Sequence, residues 1–132
     1  NRINIIADKM NTISTLDKSF SAERLESYKK KIQQIVNNIE LDEARMIQEI
    51  AILAEKRDIT EETVRMSSHL ELFKSYFESS DPVGRRMGFL LQEMGREINT
   101  IGAKTDNPQI SHTVVDIKDE LEKIREQVQN IL

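Results

Sequence analysis

Glu93 and Glu97 stand four residues apart among Arg85, Arg86 and Arg96, a concentration of catalytically useful groups in thirteen positions. On a helix, residues 85, 89, 92/93 and 96 share one face, and 86, 93 and 97 share an adjoining one. Two carboxylates at i and i+4 suit joint ligation of a hard divalent cation that keeps water in its remaining positions. Guanidinium groups hold phosphate oxygens bidentately, as lysine does not. Neutralised charge and an activated nucleophile are what phosphodiester cleavage requires. The same residues also suit an ordinary solvated face laced with Arg–Glu pairs, each contributing about 0.2–0.5 kcal/mol.

Two further clusters could join such a site. Asp58, Glu61, Glu62, Arg65 and His69 form the first, with residues 62, 65 and 69 on one helical face. His69 could act as general acid or base, or as a metal ligand oriented by a carboxylate. It could equally be a half-buried histidine paired with Glu62 or Arg65. The second, Glu40, Asp42, Glu43, Arg45 and Glu49, adds carboxylates, although capping and dipole compensation at a helix start explain it more simply. His112 reads as a polar residue at a helix start, and Met87, Met94 and the phenylalanines read as core.

Composition removes other chemistries. The 132 residues contain no cysteine, so disulfides, thiol nucleophiles and thiolate metal sites are excluded, and any metal must rest on oxygen ligands helped at most by His69 or His112. There is no phosphate-cradling glycine loop, nucleophile elbow or HExxH zinc helix. No apolar run approaches the roughly 20 residues that span a bilayer, and no signal peptide is evident. A soluble, intracellular protein is expected. The net charge of −4 argues mildly against nucleic acid, yet residues 82–104 carry four cations against two carboxylates.

The elements that must position these groups are helices. Hydrophobic content of 38%, charged content of 32%, four Gly and two Pro fit long solvated helices. Ile3, Ile6, Met10 and Ile13 keep a helical rhythm, which Leu25, Tyr28, Ile32, Ile35 and Ile39 resume after a polar stretch at Thr15, Asp17, Ser19 and Ser21. Residues 1–39 therefore read as one long helix, or as two broken near 17–22. Asp42 suits an N-cap for a second helix burying Met46, Ile50 and Leu53, interrupted at Asp58-Ile59-Thr60. A third, about 60–79, presents Met66, Leu70, Phe73 and Phe77, with Glu61 and Glu62 favourable at its positive end. Ser79-Ser80-Asp81-Pro82 punctuates the chain, Asp81 as cap and Pro82 in the first turn. Val83, Met87, Leu90, Met94, Ile98 and Ile101 then form a stripe ending at Gly102. After a loop over 104–108, Ile110, Val114, Ile117, Leu121, Ile124, Val128 and Ile131 give a sustained 4-3 seam of the kind that packs on another long helix. The expected fold is all-α, with about five helices in long antiparallel hairpins and coiled-coil-like packing. Residues 1–39 form an N-terminal helical segment and 40–132 a helical domain, and stripes left partly uncovered favour oligomerisation.

Three stretches, LDEARMIQEIAILAEKRDITEE (41–62), PVGRRMGFLLQEMGREINTIGAK (82–104) and IREQVQNIL (124–132), taken in this order and spacing, resemble the C-terminal region of the YicC family over roughly residues 40–132. The resemblance implies a metal-dependent endoribonuclease acting on structured RNA in bacterial cytoplasm, with Mn²⁺ as the favoured ion and Mg²⁺ as the alternative. It also implies a ring-like homohexamer and a further N-terminal domain, and neither a membrane nor DNA as partner. Carried over by motif, its functional positions are Glu49, Asp58, Glu62, Arg65, His69, Arg85, Arg86, Glu93, Arg96, Glu97, Asn99 and Lys104. On chemical grounds His69, Glu93 and Glu97 take catalytic roles. Arg65, Arg85, Arg86, Arg96, Asn99 and Lys104 contact RNA, and Glu49, Asp58, Glu62, His69, Glu93 and Glu97 are candidate metal ligands. The chain departs from the family pattern at Gly88, where Asp is usual, and Gly95, where Asn is usual. Both glycines fall inside a helix at a cost of about 1 kcal/mol each, and either removes a polar group from the site or allows close helix approach. The alternatives to hydrolysis are a helical oligomerisation and RNA-clamping module whose chemistry lies in the absent domain, and a coiled-coil adaptor without a nucleic-acid role.

Overall fold

A computed structural model describes residues 2–36, 43–79 and 83–131. Five helices follow one another, α1 (Arg2–Val36), α2 (Glu43–Arg57), α3 (Thr60–Phe77), α4 (Gly84–Lys104) and α5 (Pro108–Ile131), with no strand among the described residues. The all-α expectation of antiparallel hairpins holds. The expected caps Asp42 and Asp81-Pro82 lie outside the described residues.

The polar stretch at 15–21 does not break α1. Helical hydrogen bonds are internal to the backbone, so polar side chains alter only the surface presented, and the Ser19 hydroxyl bonds the Leu16 carbonyl at 3.1 Å. Breaks occur instead where a side chain captures the backbone. Asp58 Oδ1 accepts the Thr60 N–H at 3.0 Å and the Thr60 hydroxyl at 2.5 Å, starting α3. Asn107 Oδ1 accepts the N–H groups of Gln109 at 2.9 Å and Ile110 at 3.4 Å, capping α5 with Pro108 at its first position.

The stripes of α3, α4, α5 and the start of α1 meet in one core. Ile3, Ile6, Met10 and Ile13 join Met66, Leu70, Phe73, Met87, Leu90, Leu91, Met94, Ile98 and Ile101, along with the α5 seam from Ile110 through Val128. Each such side chain contributes about 1.5–3 kcal/mol through burial. Ion pairs fix the antiparallel register of α1 on α5 at Arg2–Glu120 (3.1 Å) and Lys9–Asp116 (3.4 Å), and Arg24 reaches Asp106 in the α4–α5 loop at 2.9 Å. Two phenylalanines depart from the core reading. Phe77, the last residue of α3, is 54% exposed and edge-on to Phe73, and Phe89 is 67% exposed because it falls on the face of α4 opposite the buried stripe.

The helical glycines also resolve. A Cβ at Gly88 or Gly95 would meet nothing within 4 Å, so neither serves close helix approach. Gly102 does, since its Cβ would lie 3.2 Å from Val114 Cγ1 on α5.

Candidate nucleic-acid interface

α3 and α4 run antiparallel, and this brings charges distant in sequence into one cluster. Arg65 Nε donates to Glu97 Oε1 at 2.9 Å, and its guanidinium lies 3.4 Å from Glu61 and 3.8 Å from Glu62. Lys104 Nζ donates to Glu62 Oε1 at 2.7 Å and to the Asp58 carbonyl at 3.1 Å. Glu62 and Glu97 are buried, a situation that costs several kcal/mol for an unpaired carboxylate and that Lys104 and Arg65 offset. Pairing with Glu97 raises the Arg65 pKa. The hydrogen bonds from Thr60 hold the Asp58 carboxyl below its usual range, aided by the nearby Lys104 charge. Glu62 Oε2 remains buried with no hydrogen-bond partner among the described residues.

The register of residue 62 beside 104 and 65 beside 97 carries His69, one turn along α3, to the level of Glu93 on α4. His69 is half-buried. Glu93 pairs with Arg96 at 3.5 Å, and the Arg96 side chain is 76% exposed. Arg85, Phe89, Gln92 and Arg96 are all exposed along a single face of α4, with Arg86 exposed beside them. Arg85 and Arg86 make no ion pair among the described residues.

The positions named from the sequence thus divide. Asp58, Glu62, Arg65, Glu97 and Lys104 form one bonded network, His69 and Glu93 continue its seam, and Arg85, Arg86 and Arg96 face solvent. Glu49 stands apart, exposed on α2, which packs on α1. Asn99 is exposed and lines a groove of about 610 Å³ with Lys56, Arg57 and Lys104. Lys56 and Arg57 were not singled out by spacing. Arg57 donates to the Lys104 carbonyl at 3.1 Å, a contact across 47 residues signalled only by two cations closing α2. Among the described residues no three His, Asp or Glu side chains are gathered tightly enough to hold a metal ion. No helix among them is long and apolar enough to cross a membrane.

The family described as endoribonuclease YicC-like, C-terminal, matches residues 13–132. The probable endoribonuclease YicC of Clostridioides difficile (strain 630) is 44% identical over 126 residues, which cover 92% of this chain and 43% of that relative. The probable endoribonuclease YicC of Haemophilus influenzae is 36% identical over 93 residues, covering 70% of this chain and 32% of the relative. The chain therefore spans less than half the length of these curated relatives. With the family match reaching from within α1 to the last residue, the chain belongs to the YicC-like endoribonuclease family, whose helical C-terminal part it represents.

Proposed function

We propose that this chain is the RNA-engaging part of a metal-dependent endoribonuclease that hydrolyses phosphodiester bonds in structured RNA in the cytoplasm, working as a homo-oligomer, a hexamer by family resemblance, together with an N-terminal domain. The observation that carries the reading is the exposed Arg85–Phe89–Gln92–Arg96 face of α4, flanked by Arg86, in a chain of this family. The Arg85 and Arg86 guanidinium groups, which make no ion pair among the described residues, are available to phosphate, and an exposed aromatic ring beside them offers a surface on which an unstacked base can lie.

Within this reading the carboxylates have different tasks. Glu62 and Glu97 hold Lys104 and Arg65 in place, and Asp58 fixes the start of α3, so these acids act as positioning groups. Glu93 and His69 are the side chains that would hold a divalent ion, Mn²⁺ or Mg²⁺, with water completing the shell, as hard cations allow. When bound, such an ion neutralises phosphate charge and lowers the pKa of water. Where His69 does not ligate the ion, its imidazole is instead suited to carry the proton of the attacking or leaving oxygen. Arg85, Arg86 and Arg96 orient the phosphate, and Asn99 and Lys104 extend the track along α4. The test is cleavage of structured RNA by the intact protein with Mn²⁺. Glu93→Gln is expected to lower kcat at least a hundredfold with little change in RNA affinity. Unchanged cleavage would remove Glu93 from the mechanism.

A second reading is favoured by one specific observation: Arg65, Lys104 and Arg96 each already hold a carboxylate of this same chain. In that case the chain clamps RNA and the hydrolytic groups lie elsewhere in the protein. Arg85→Gln with Arg86→Gln would then weaken RNA binding and flatten its salt dependence by about two phosphate contacts, while Glu93→Gln would leave kcat unchanged.

A further inference from the structure

The exposed face of α4 continues past Arg96. Residues 85, 89, 92, 96, 99 and 103 fall along one line of the helix, and every one of them is exposed. The face is therefore about 27 Å long, and its last members, Asn99 and Ala103, enter the groove of about 610 Å³. The far wall of that groove is the last turn of α2, which sets Lys56 and Arg57 opposite Asn99, Thr100 and Lys104. Each polar side chain in this lining carries a hydrogen-bond donor, and no carboxylate lines it among the described residues.

Cations in the last turn of a helix also compensate its dipole, and this accounts for part of the pattern. Arg57 Nη1 donates to the Lys104 carbonyl at the end of α4, and the Lys104 ammonium is held by Glu62 and the Asp58 carbonyl. Lys56 differs, being exposed and without an ion pair among the described residues. Arg57 commits one N–H to Lys104 and keeps the rest of its donor fork. The groove thus offers an anion one uncommitted ammonium and most of a guanidinium, in a space of the size that holds small ligands. An acidic peptide would meet the same cations. RNA is favoured because the groove prolongs the face that carries Arg85, the exposed Phe89 ring and Arg96, so that a polyanion lying along α4 runs directly into it. α2 packs on α1 and reaches α4 through Arg57. A phosphate held between Lys56 and Asn99 adds a second link between these two helices.

We infer that the α2–α4 groove is a phosphate-binding site for the RNA strand that follows the exposed face of α4, with Lys56 and Arg57 on its far wall, and that the bound strand ties α2 to α4. The inference rests on the RNA reading given above for its choice of ligand, and it adds α2 to the contact surface.

The experiment measures binding of a labelled RNA hairpin with a single-stranded tail to the intact protein in EDTA, over a series of salt concentrations. Lys56→Gln is expected to weaken binding severalfold and to reduce the salt slope by about one phosphate contact, while Lys56→Arg retains both. Amide exchange over residues 53–57 should slow severalfold when RNA binds to wild type, and much less in Lys56→Gln. Unchanged affinity and slope in Lys56→Gln, or α2 amides indifferent to RNA, overturns the inference. Poly-glutamate that displaces the hairpin as well as unlabelled RNA of equal charge overturns it in favour of an acidic protein partner. Pyrophosphate binding that depends on Lys56 while RNA binding does not overturns it in favour of a free anion. Mn²⁺-dependent cleavage that Glu93→Gln abolishes, with RNA binding indifferent to Lys56→Gln, sinks this inference alone. Lys56-dependent binding without cleavage sinks only the hydrolytic reading.

Discussion

The two ends of α1 obey the same helical rhythm and meet different fates. At the first end, Ile3, Ile6, Met10 and Ile13 disappear into the core with α3, α4 and α5. At the second, Leu25, Tyr28 and Ile32 stay partly exposed, and the most buried side chain is Arg24. α2 packs beside this second end and contributes a single buried apolar residue, Ile50, among those described. One end is thus held by dispersion and apolar burial. The other is held by a thinner apolar contact plus charged tethers at Arg24–Asp106 and Arg57–Lys104. A periodic stripe shows which face turns inward, whereas how much partner surface lies opposite depends on elements far away in sequence.

Truncation should expose this difference most strongly. Phe73→Ala in the core is expected to cost about 3–5 kcal/mol, and Ile32→Ala in the α1–α2 arm no more than about 1 kcal/mol, both read from urea unfolding. Comparable losses would abolish the distinction. Next in size is the tether. Asp106→Asn leaves the buried Arg24 guanidinium without its counter-charge, and a loss of about 1–3 kcal/mol is expected, accompanied by faster amide exchange in α2 than in α5. Uniform acceleration along the chain would show that the arm is not separately anchored.

The glycines give a smaller effect, confined to the core side. Gly88→Ala and Gly95→Ala should each stabilise by up to about 1 kcal/mol, since helix propensity improves and the added methyl meets no neighbour. Gly102→Ala should gain less or lose stability, because Val114 must move. A thermal melt in which all three variants shift equally would contradict the packing difference between them. The smallest effect is electrostatic and lies at the junction. The folded pKa of Asp58 is below its ordinary value, so its contribution is present above the unfolded carboxylate pKa and fades as pH falls through the folded one. For a largely exposed group this amounts to a few tenths of a kcal/mol. Acid titration of wild type against Asp58→Asn should show the two converging as pH falls below the ordinary Asp value near 3.9.

Much of the fold was legible because it depended on local period: the stripes of α3, α4 and α5 and the interruption at 58–59 follow from residue spacing alone. The candidate site was less so. Glu93 and Glu97 read as an equivalent i, i+4 pair, but one pairs with Arg96 at the surface and the other is buried against Arg65 of α3. Only the crossing of two helices decides that. Phe77 and Phe89 read as core because large aromatics usually bury, but Phe77 is the last residue of α3 and Phe89 lies on the face of α4 opposite its buried stripe. Asn107-Pro108 carried a cap-then-proline signal within a segment read simply as a loop.

The Lys104 clasp has a mechanical meaning. Its backbone carbonyl is held by Arg57, while its ammonium group holds the Asp58 carbonyl and Glu62. Neighbouring residues on the α2–α3 corner therefore grip and are gripped by one residue at the end of α4. A load that pries α2 away pulls on the last turn of α4 and on the first turn of α3 together, so this corner should yield as a unit rather than fray residue by residue.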